Sequence, residues 1–253
     1  NKIAYITGAN ARIGESTALK FAKNNYDVII TGRRKEKLDE LEAIILNKNK
    51  VKVLKLCFDV RKQDEVEKNI NLLDNYWKQI DVLVNNAGLA VGLNPIEKGI
   101  IDDWERMIDT NIKGLLYVSR AIIPIMIENG YGHIVNIGSI AGRETYPNGN
   151  VYCGTKAAVD AITKGMRMDL LDKGIKVTLI EPGAVETEFS LVRFKGDAER
   201  AKNVYAGFTP LTPEDIADAI FYVASLPKHV NINDMLIMPT AQASAGMIHK
   251  KNN

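Results

Sequence analysis

The 253-residue sequence predicts a single doubly wound α/β domain, with a mostly parallel seven-stranded sheet and helices on both faces. Three observations predict it. Apolar runs of strand length alternate with longer segments of helical period from one end of the chain to the other. The short runs are rich in Val, Ile and Leu at successive positions, as expected of parallel strands covered on both sides. No internal repeat, low-complexity stretch or Pro/Gly linker marks a second domain, so residues 1–253 read as one unit.

Taken in order, the first strand is expected at 3–6, and it runs directly into a turn from Thr7 to Gly14, where a helix begins and continues to 23. A second strand at 27–31 ends in Thr31-Gly32-Arg33-Arg34 before a helix at 35–47. Strands at 51–56 and 82–84 flank a helix at 63–76, and a long helical segment, 102–128, leads to a fifth strand at 133–137. A helix at 151–173, a sixth strand at 176–180, a helix at 213–225 and a last strand at 235–238 complete the pattern. Right-handed crossovers between these strands give a Rossmann-like layout. The irregular region, 183–212, follows the sixth strand. Ligands in open α/β sheets bind beyond the strand C-termini, so this insert is the expected substrate lid.

Bulk composition excludes several classes. The chain is 46% hydrophobic and 25% charged, which is ordinary for a globular protein and excludes disorder as its main state. A net charge of +2 gives no electrostatic reason for nucleic acid or an anionic membrane surface. No apolar run approaches the ~18 residues of a membrane span, and the opening residues read as a strand, so the expected location is the cytoplasm. Cys57 and Cys153 lie in unrelated segments, and His133, His229 and His249 are isolated, so neither a disulfide framework nor a metal site is expected.

The chemistry-bearing residues cluster at strand ends. In the first turn, Gly8 permits a tight bend and Gly14 allows close packing, leaving backbone N–H groups and the positive helix end free for a pyrophosphate. Asn10, Arg12 and Ile13 lie between them. After the second strand, where a carboxylate would take ribose hydroxyls, Arg33 and Arg34 stand instead; guanidinium groups suit a 2′-phosphate, so NADP(H) is expected over NAD. Arg33 and Arg34 also read as solvated residues at a helix start. Arg12 either adds a cation to this pocket or points to solvent. Thirteen residues beyond Ser139, Tyr152 and Lys156 form Tyr-x-x-x-Lys, one helical turn apart on one face. A nearby ammonium would lower the phenol from about 10, fitting Tyr152 for acid–base work near neutrality.

With the T-G-x-x-x-G-x-G form of its first turn, the chain resembles the short-chain dehydrogenases/reductases from end to end, although Arg12 stands where the family has its middle glycine. The resemblance implies cofactor contacts from Asp59 and Val60 at the adenine and from Asn86, Ala87 and Gly88 at the ribose. It implies that Pro182, Gly183, Val185 and Thr187 hold the nicotinamide carboxamide. It further implies a catalytic set of Asn111, Ser139, Tyr152 and Lys156, with Tyr152 and Lys156 also touching cofactor and Ser139 and Tyr152 touching substrate. Ser139 read alone is a loop cap.

Two stretches, 187–197 and 229–233, resemble the NADP-dependent 3-hydroxy acid dehydrogenases of the serine, allo-threonine and malonic-semialdehyde type. A substrate carboxylate would then meet Arg143, Arg193 or Lys195, each of which reads equally as a surface charge or subunit contact. Reduction of keto-sugar acids, general aldehyde or ketone reduction, and a non-catalytic NADP-binding sensor are the other readings. Apolar positions on more than one face of 102–128 and 151–173, among them Leu115, Val118, Ile122, Val159, Met166 and Met168, together with the resemblance, imply a homo-oligomeric dimer or tetramer.

Overall fold

A computed structural model describes residues 1–251. Seven strands, β1 (Lys2–Ile6), β2 (Tyr26–Gly32), β3 (Val53–Cys57), β4 (Ile80–Asn85), β5 (Gly132–Ile137), β6 (Ile175–Pro182) and β7 (Asp234–Ile237), form one sheet in the order β3-β2-β1-β4-β5-β6-β7. Every neighbouring pair is parallel. The strand order reverses between β1 and β4, which opens a crevice beyond their C-termini.

The helices are α1 (Arg12–Lys23), α2 (Lys35–Lys48), α3 (Gln63–Asn71), α4 (Ile101–Ile108), α5 (Leu115–Asn129), α6 (Asn150–Asp169), α7 (Phe189–Arg193), α8 (Ala198–Val204) and α9 (Pro213–Ser225). Strand periodicity divides the core into two layers. Ala4 and Ile6 of β1 face Phe21, Leu38, Ile216 and Ile220 on one side, whereas Ile3 and Tyr5 face Val66, Ile70, Val118 and Ile122 on the other. β2 is buried along its whole length, which is why it reads as an unbroken apolar run.

Three departures from the sequence expectation have local causes. The helix expected at 63–76 stops at Asn71, because Asp74 turns its carboxylate onto the backbone N–H of Trp77 at 3.0 Å and starts a separate turn. The segment expected to be one helix over 102–128 carries a π-helical turn, Asp109–Gly114, between α4 and α5. The insert contains two short helices, of which α8 is capped by Asp197 accepting from the Arg200 N–H at 3.0 Å.

The insert is closed at its base. Val185 bridges Leu211, with Glu186 N–H donating to the Leu211 carbonyl at 2.8 Å and Leu211 N–H donating to Ala184 at 2.9 Å. From there Thr212 and Asp215 form a capping box that starts α9, and α9 packs on α1 through Ser16–Glu214 and Lys20–Asp218. The insert therefore leaves and rejoins rigid elements.

Candidate active site

The cofactor edge is built from four strand ends. Gly8 adopts φ +64°, and a Cβ there would lie 2.9 Å from Ala87 Cα; a Cβ at Gly14 would strike the Gly8 carbonyl oxygen. Both glycines are thus required by close backbone approach. Asn86 donates to the carbonyls of Thr7 and Gly8 at 2.9 and 3.2 Å, while the Thr7 hydroxyl accepts from the N–H groups of Asn86 and Ala87. No side chain caps α1, so its first N–H groups and positive end face this turn. The cradle fits a pyrophosphate. Ile13 is half-buried against the core, and Arg12 is exposed.

Arg34 donates to the Asn10 carbonyl and pairs with Glu188 at 3.4 Å, so it spans the crevice from β2 to the insert. Arg33 makes only a loose approach to Asp59, at 3.9 Å, and 54% of its side chain is exposed. Asp59 is held by Arg61, whose Nη2 lies 2.6 Å away; that guanidinium keeps its carboxyl below the ordinary range despite the opposing effect of burial. Val60 is buried against the π turn, where a Cβ on Gly114 would meet it at 2.8 Å. Pro182 ends β6, Gly183 donates to Ile237 at 2.7 Å, Val185 is buried at the base of the insert and Thr187 is half-buried beyond it.

The reacting groups meet at the C-terminal end of β5. Ser139 follows this strand, accepts from Ala141 N–H at 3.1 Å and is hydrogen-bonded to the Tyr152 phenol, so capping and contact with the tyrosine coexist. Lys156 is buried and donates to the Ile137 carbonyl at 2.9 Å, with its nitrogen 6.0 Å from the centre of the Tyr152 ring. Gly88 lies against this pair, since a Cβ there would be 3.6 Å from Lys156 Nζ and 3.3 Å from Asn111 Oδ1. Asn111 sits in the π turn. Its amide accepts from Leu89 N–H at 2.8 Å and donates to the Leu89 carbonyl at 2.9 Å and to Thr155 Oγ1 at 3.0 Å.

The electrostatics differ from the sequence expectation. The Tyr-x-x-x-Lys spacing predicts a phenol lowered by Lys156, but burial pushes Tyr152 above its ordinary value, and the opposing influences are Ser139 and Arg193. Burial also pushes Lys156 down to about 8. Desolvation is the largest influence at both groups.

The three cations expected near a substrate carboxylate have separate fates. Arg143 donates through Nε and Nη2 to Glu181, whose side chain is 1% exposed. Lys195 pairs with the buried Asp103 at 2.8 Å. Arg193 instead lies over the aromatic rings, 5.2 Å from Tyr146 and 5.7 Å from Tyr152, and its Nε and Nη2 are buried without a hydrogen-bond partner. A cavity of about 20 Å³ reaches Tyr152 between Gly92, Asn94, Asp103 and Trp104.

Sequence reasoning passed over Tyr146, Thr155, Asp103 and Glu181. Thr155, three residues beyond Tyr152, lies on an adjoining part of the same helix and was open to inspection; the other three carry no motif and are recruited by long-range contacts. Among the described residues no group of three His, Cys, Asp or Glu side chains is placed to hold a metal ion, and no helix is long and apolar enough to cross a membrane.

The short chain dehydrogenase family model matches residues 2–197. The NADP-dependent 3-hydroxy acid dehydrogenase YdfG of Salmonella typhi is 50% identical over 250 residues, covering 98% of this chain and 99% of the relative. The serine 3-dehydrogenase of Agrobacterium fabrum is 44% identical over 241 residues, covering 95% of each chain. Among solved structures, the closed form of serine dehydrogenase complexed with NADP+ superposes with a TM-score of 0.91 at 46% identity, covering 98% of this chain and all of that one. With its glycine turn, its Ser139–Tyr152–Lys156 cluster and these likenesses along nearly its full length, the chain belongs to the short-chain dehydrogenase family.

Proposed function

We propose that the protein is an NADP(H)-dependent oxidoreductase that interconverts alcohol and carbonyl on small carboxylate-bearing substrates of the 3-hydroxy acid or serine type. The relatives' activities support the reaction class. The observation that carries the substrate class is Arg193, a buried guanidinium with two unpartnered nitrogens beside the Tyr152 ring. Such a group is costly to leave unpaired, and a carboxylate satisfies it bidentately. Arg143 and Lys195 are already neutralised by Glu181 and Asp103.

The turn from Gly8 to Gly14 would hold the pyrophosphate, Arg33 and Arg34 the 2′-phosphate, Asp59 and Val60 the adenine, and residues 86–88 with Lys156 the ribose. Pro182 to Thr187 would orient the nicotinamide, which when bound supplies or accepts hydride. Tyr152 exchanges the proton at its phenol oxygen, and the Ser139 hydroxyl steadies the reacting oxygen. Lys156, near 8, passes the proton onward, with Asn111 fixing the loop beside it.

Arg193→Met tests the substrate class. It should lower kcat/KM for serine or 3-hydroxypropionate by about a hundredfold, far more than for an uncharged aldehyde of similar size, since both binding and near-attack geometry are lost. Equal losses on charged and uncharged substrates would make a general carbonyl reductase the better description.

The quaternary reading needs revision in its residues. Leu115, Val118, Ile122, Val159 and Met166 belong to the core of the single chain; Met168 is 75% exposed. Ile108, Leu116 and Ile127, also exposed, give the helical segment its outward apolar positions. These support a homo-oligomer, dimeric or tetrameric, which light scattering of wild type and Met168→Glu would test. Cys57 and Cys153 are free thiols, which suits a cytoplasmic setting.

A further inference from the structure

Three segments converge at Asp103. It occupies the first turn of α4 with a side chain only 4% exposed, and Lys195 of the lid reaches it at 2.8 Å. The loop after β4 completes the junction: Gly92, at φ +75°, lets Asp103 Oδ2 approach to where a Cβ would lie only 2.8 Å from it. The N–H of this same glycine donates to the carbonyl of Arg193 at 3.1 Å. The lid tip is therefore fastened twice, by the main chain of Arg193 and by the ammonium two residues later.

The chain adopts an unusual conformation to make the second fastening. Lys195 lies at φ +53°, a left-handed region uncommon for a side-chain-bearing residue, and Gly196 continues at φ +94°. This turn ends α7 and sends Lys195 toward α4, while the Arg193 side chain lies over Tyr146 and Tyr152. The Lys195–Asp103 contact is an ion pair whose Oδ2 lacks hydrogen-bond alignment, so charge rather than direction holds it.

We propose that Asp103 is a positioning residue for substrate recognition: by clamping Lys195 it fixes the end of α7 and thereby aims the Arg193 guanidinium at the carboxylate of a substrate reacting at Tyr152. In this role Asp103 acts through Arg193, with the Lys195 ammonium spent on the ion pair. This inference rests on the reading of Arg193 given above.

A double-mutant cycle of Asp103→Asn and Lys195→Met tests it, with serine oxidation and reduction of a neutral aldehyde measured for each variant. Each single variant should lose about tenfold in kcat/KM on serine and less than about twofold on the aldehyde, and the double variant should lose no more than the worse single. Lys195→Arg should restore serine turnover to within about threefold of wild type, because the pair can re-form. If Lys195 were a direct ligand, Lys195→Met would lose serine activity while Asp103→Asn retained or gained it, and that result overturns the proposal. Additive losses, equal losses on both substrates, or no loss overturn it as well. Should Asp103→Asn fail to fold, Asp103→Ser takes its place in the cycle and is read by the same criteria, since a direct Lys195 ligand would leave that variant's serine turnover intact whereas the clamp predicts its loss. Failure of this inference is separable from failure of the substrate reading. Arg193→Met that discriminates charged from neutral substrates, beside clamp variants that do not, leaves the substrate reading standing alone.

Discussion

Replacing Arg33 with Gln should change coenzyme preference with little effect on anything else. The guanidinium lies 3.9 Å from Asp59 and is more than half in water, so its native contacts contribute little to the fold. A charge-assisted hydrogen bond contributes ~1.5–3 kcal/mol, but solvent exposure places this one at the low end. About 1.4 kcal/mol corresponds to a tenfold loss in kcat/KM with NADPH, and NADH, which lacks the 2′-phosphate, should be nearly unaffected. Arg34→Gln should behave differently. Arg34 also ties the Asn10 carbonyl and Glu188 together, so its loss loosens the glycine turn and the start of the lid, and both coenzymes should suffer. The assay is steady-state kcat/KM with each coenzyme, repeated at about 0.05 and 0.5 M salt; screening should shrink the wild-type NADPH preference more than that of Arg33→Gln. An unchanged ratio in Arg33→Gln would refute the reasoning and shift the 2′-phosphate toward Arg34 or Arg12.

Three further outcomes follow from the geometry. Tyr152→Phe should lower kcat by about 10²–10⁴, the usual contribution of general acid–base catalysis, with NADPH affinity by fluorescence titration nearly unchanged; substantial residual kcat removes the phenol from proton transfer. Lys156→Met should abolish turnover yet raise the melting temperature of the cofactor-free protein. A folded pKa of about 8, below the unfolded value, means that holding the buried ammonium is unfavourable at neutral pH, by about 1–2 kcal/mol once the lost bond to Ile137 is deducted; a lower melting temperature contradicts this. His133 is buried, its Nε2 bonded to Thr178 at 2.8 Å, and burial pushes it down to about 3. Because its folded pKa is depressed, its stabilising contribution is present above about pH 6.5 and is lost as pH falls toward 3. Urea unfolding should accordingly show about 2 kcal/mol less stability at pH 5 than at pH 7.5 from this residue, and a His133→Gln variant lacking that part of the difference would support the assignment, whereas an identical pH dependence would not.

The sheet was legible because burial on both faces leaves a direct compositional trace. β2, buried at every position, and the alternation of Ile3 and Tyr5 with Ala4 and Ile6 both follow from chain geometry alone. The strand-end motifs were legible for a related reason, since Gly8, Gly14, Ser139 and the Tyr152–Lys156 pair answer to local backbone demands and fixed spacing. Charge pairing left no such trace. Nothing in the neighbourhood of Arg143 reveals Glu181, nor does anything near Lys195 reveal Asp103, because each partner arrives from another strand or helix. The direction of the Tyr152 pKa was likewise out of reach: spacing reports the nearby ammonium, whereas the dominant influence is burial. Helices α7 and α8 are too short to display a period.

The π turn between α4 and α5 determines which changes of chain length this protein can survive. A turn closed by i→i+5 bonds holds about one residue more than an α turn, so deleting one residue within Asp109–Gly114 would let the turn relax to α with α4 and α5 in nearly the same rotational phase. Met107 and Asp103 on one side, and Val118 and Ile122 on the other, then keep their buried faces, but Asn111, which the wide turn carries, would swing away from Leu89 and Thr155. A further inserted residue is not absorbed in this way and would rotate α5 against α4 by about 100°. A library of single-residue deletions across 109–114 should therefore yield folded protein without activity, whereas single-residue insertions there should not fold. Chain-length change at this helix thus separates the fold, which tolerates a shorter turn, from the site, which does not.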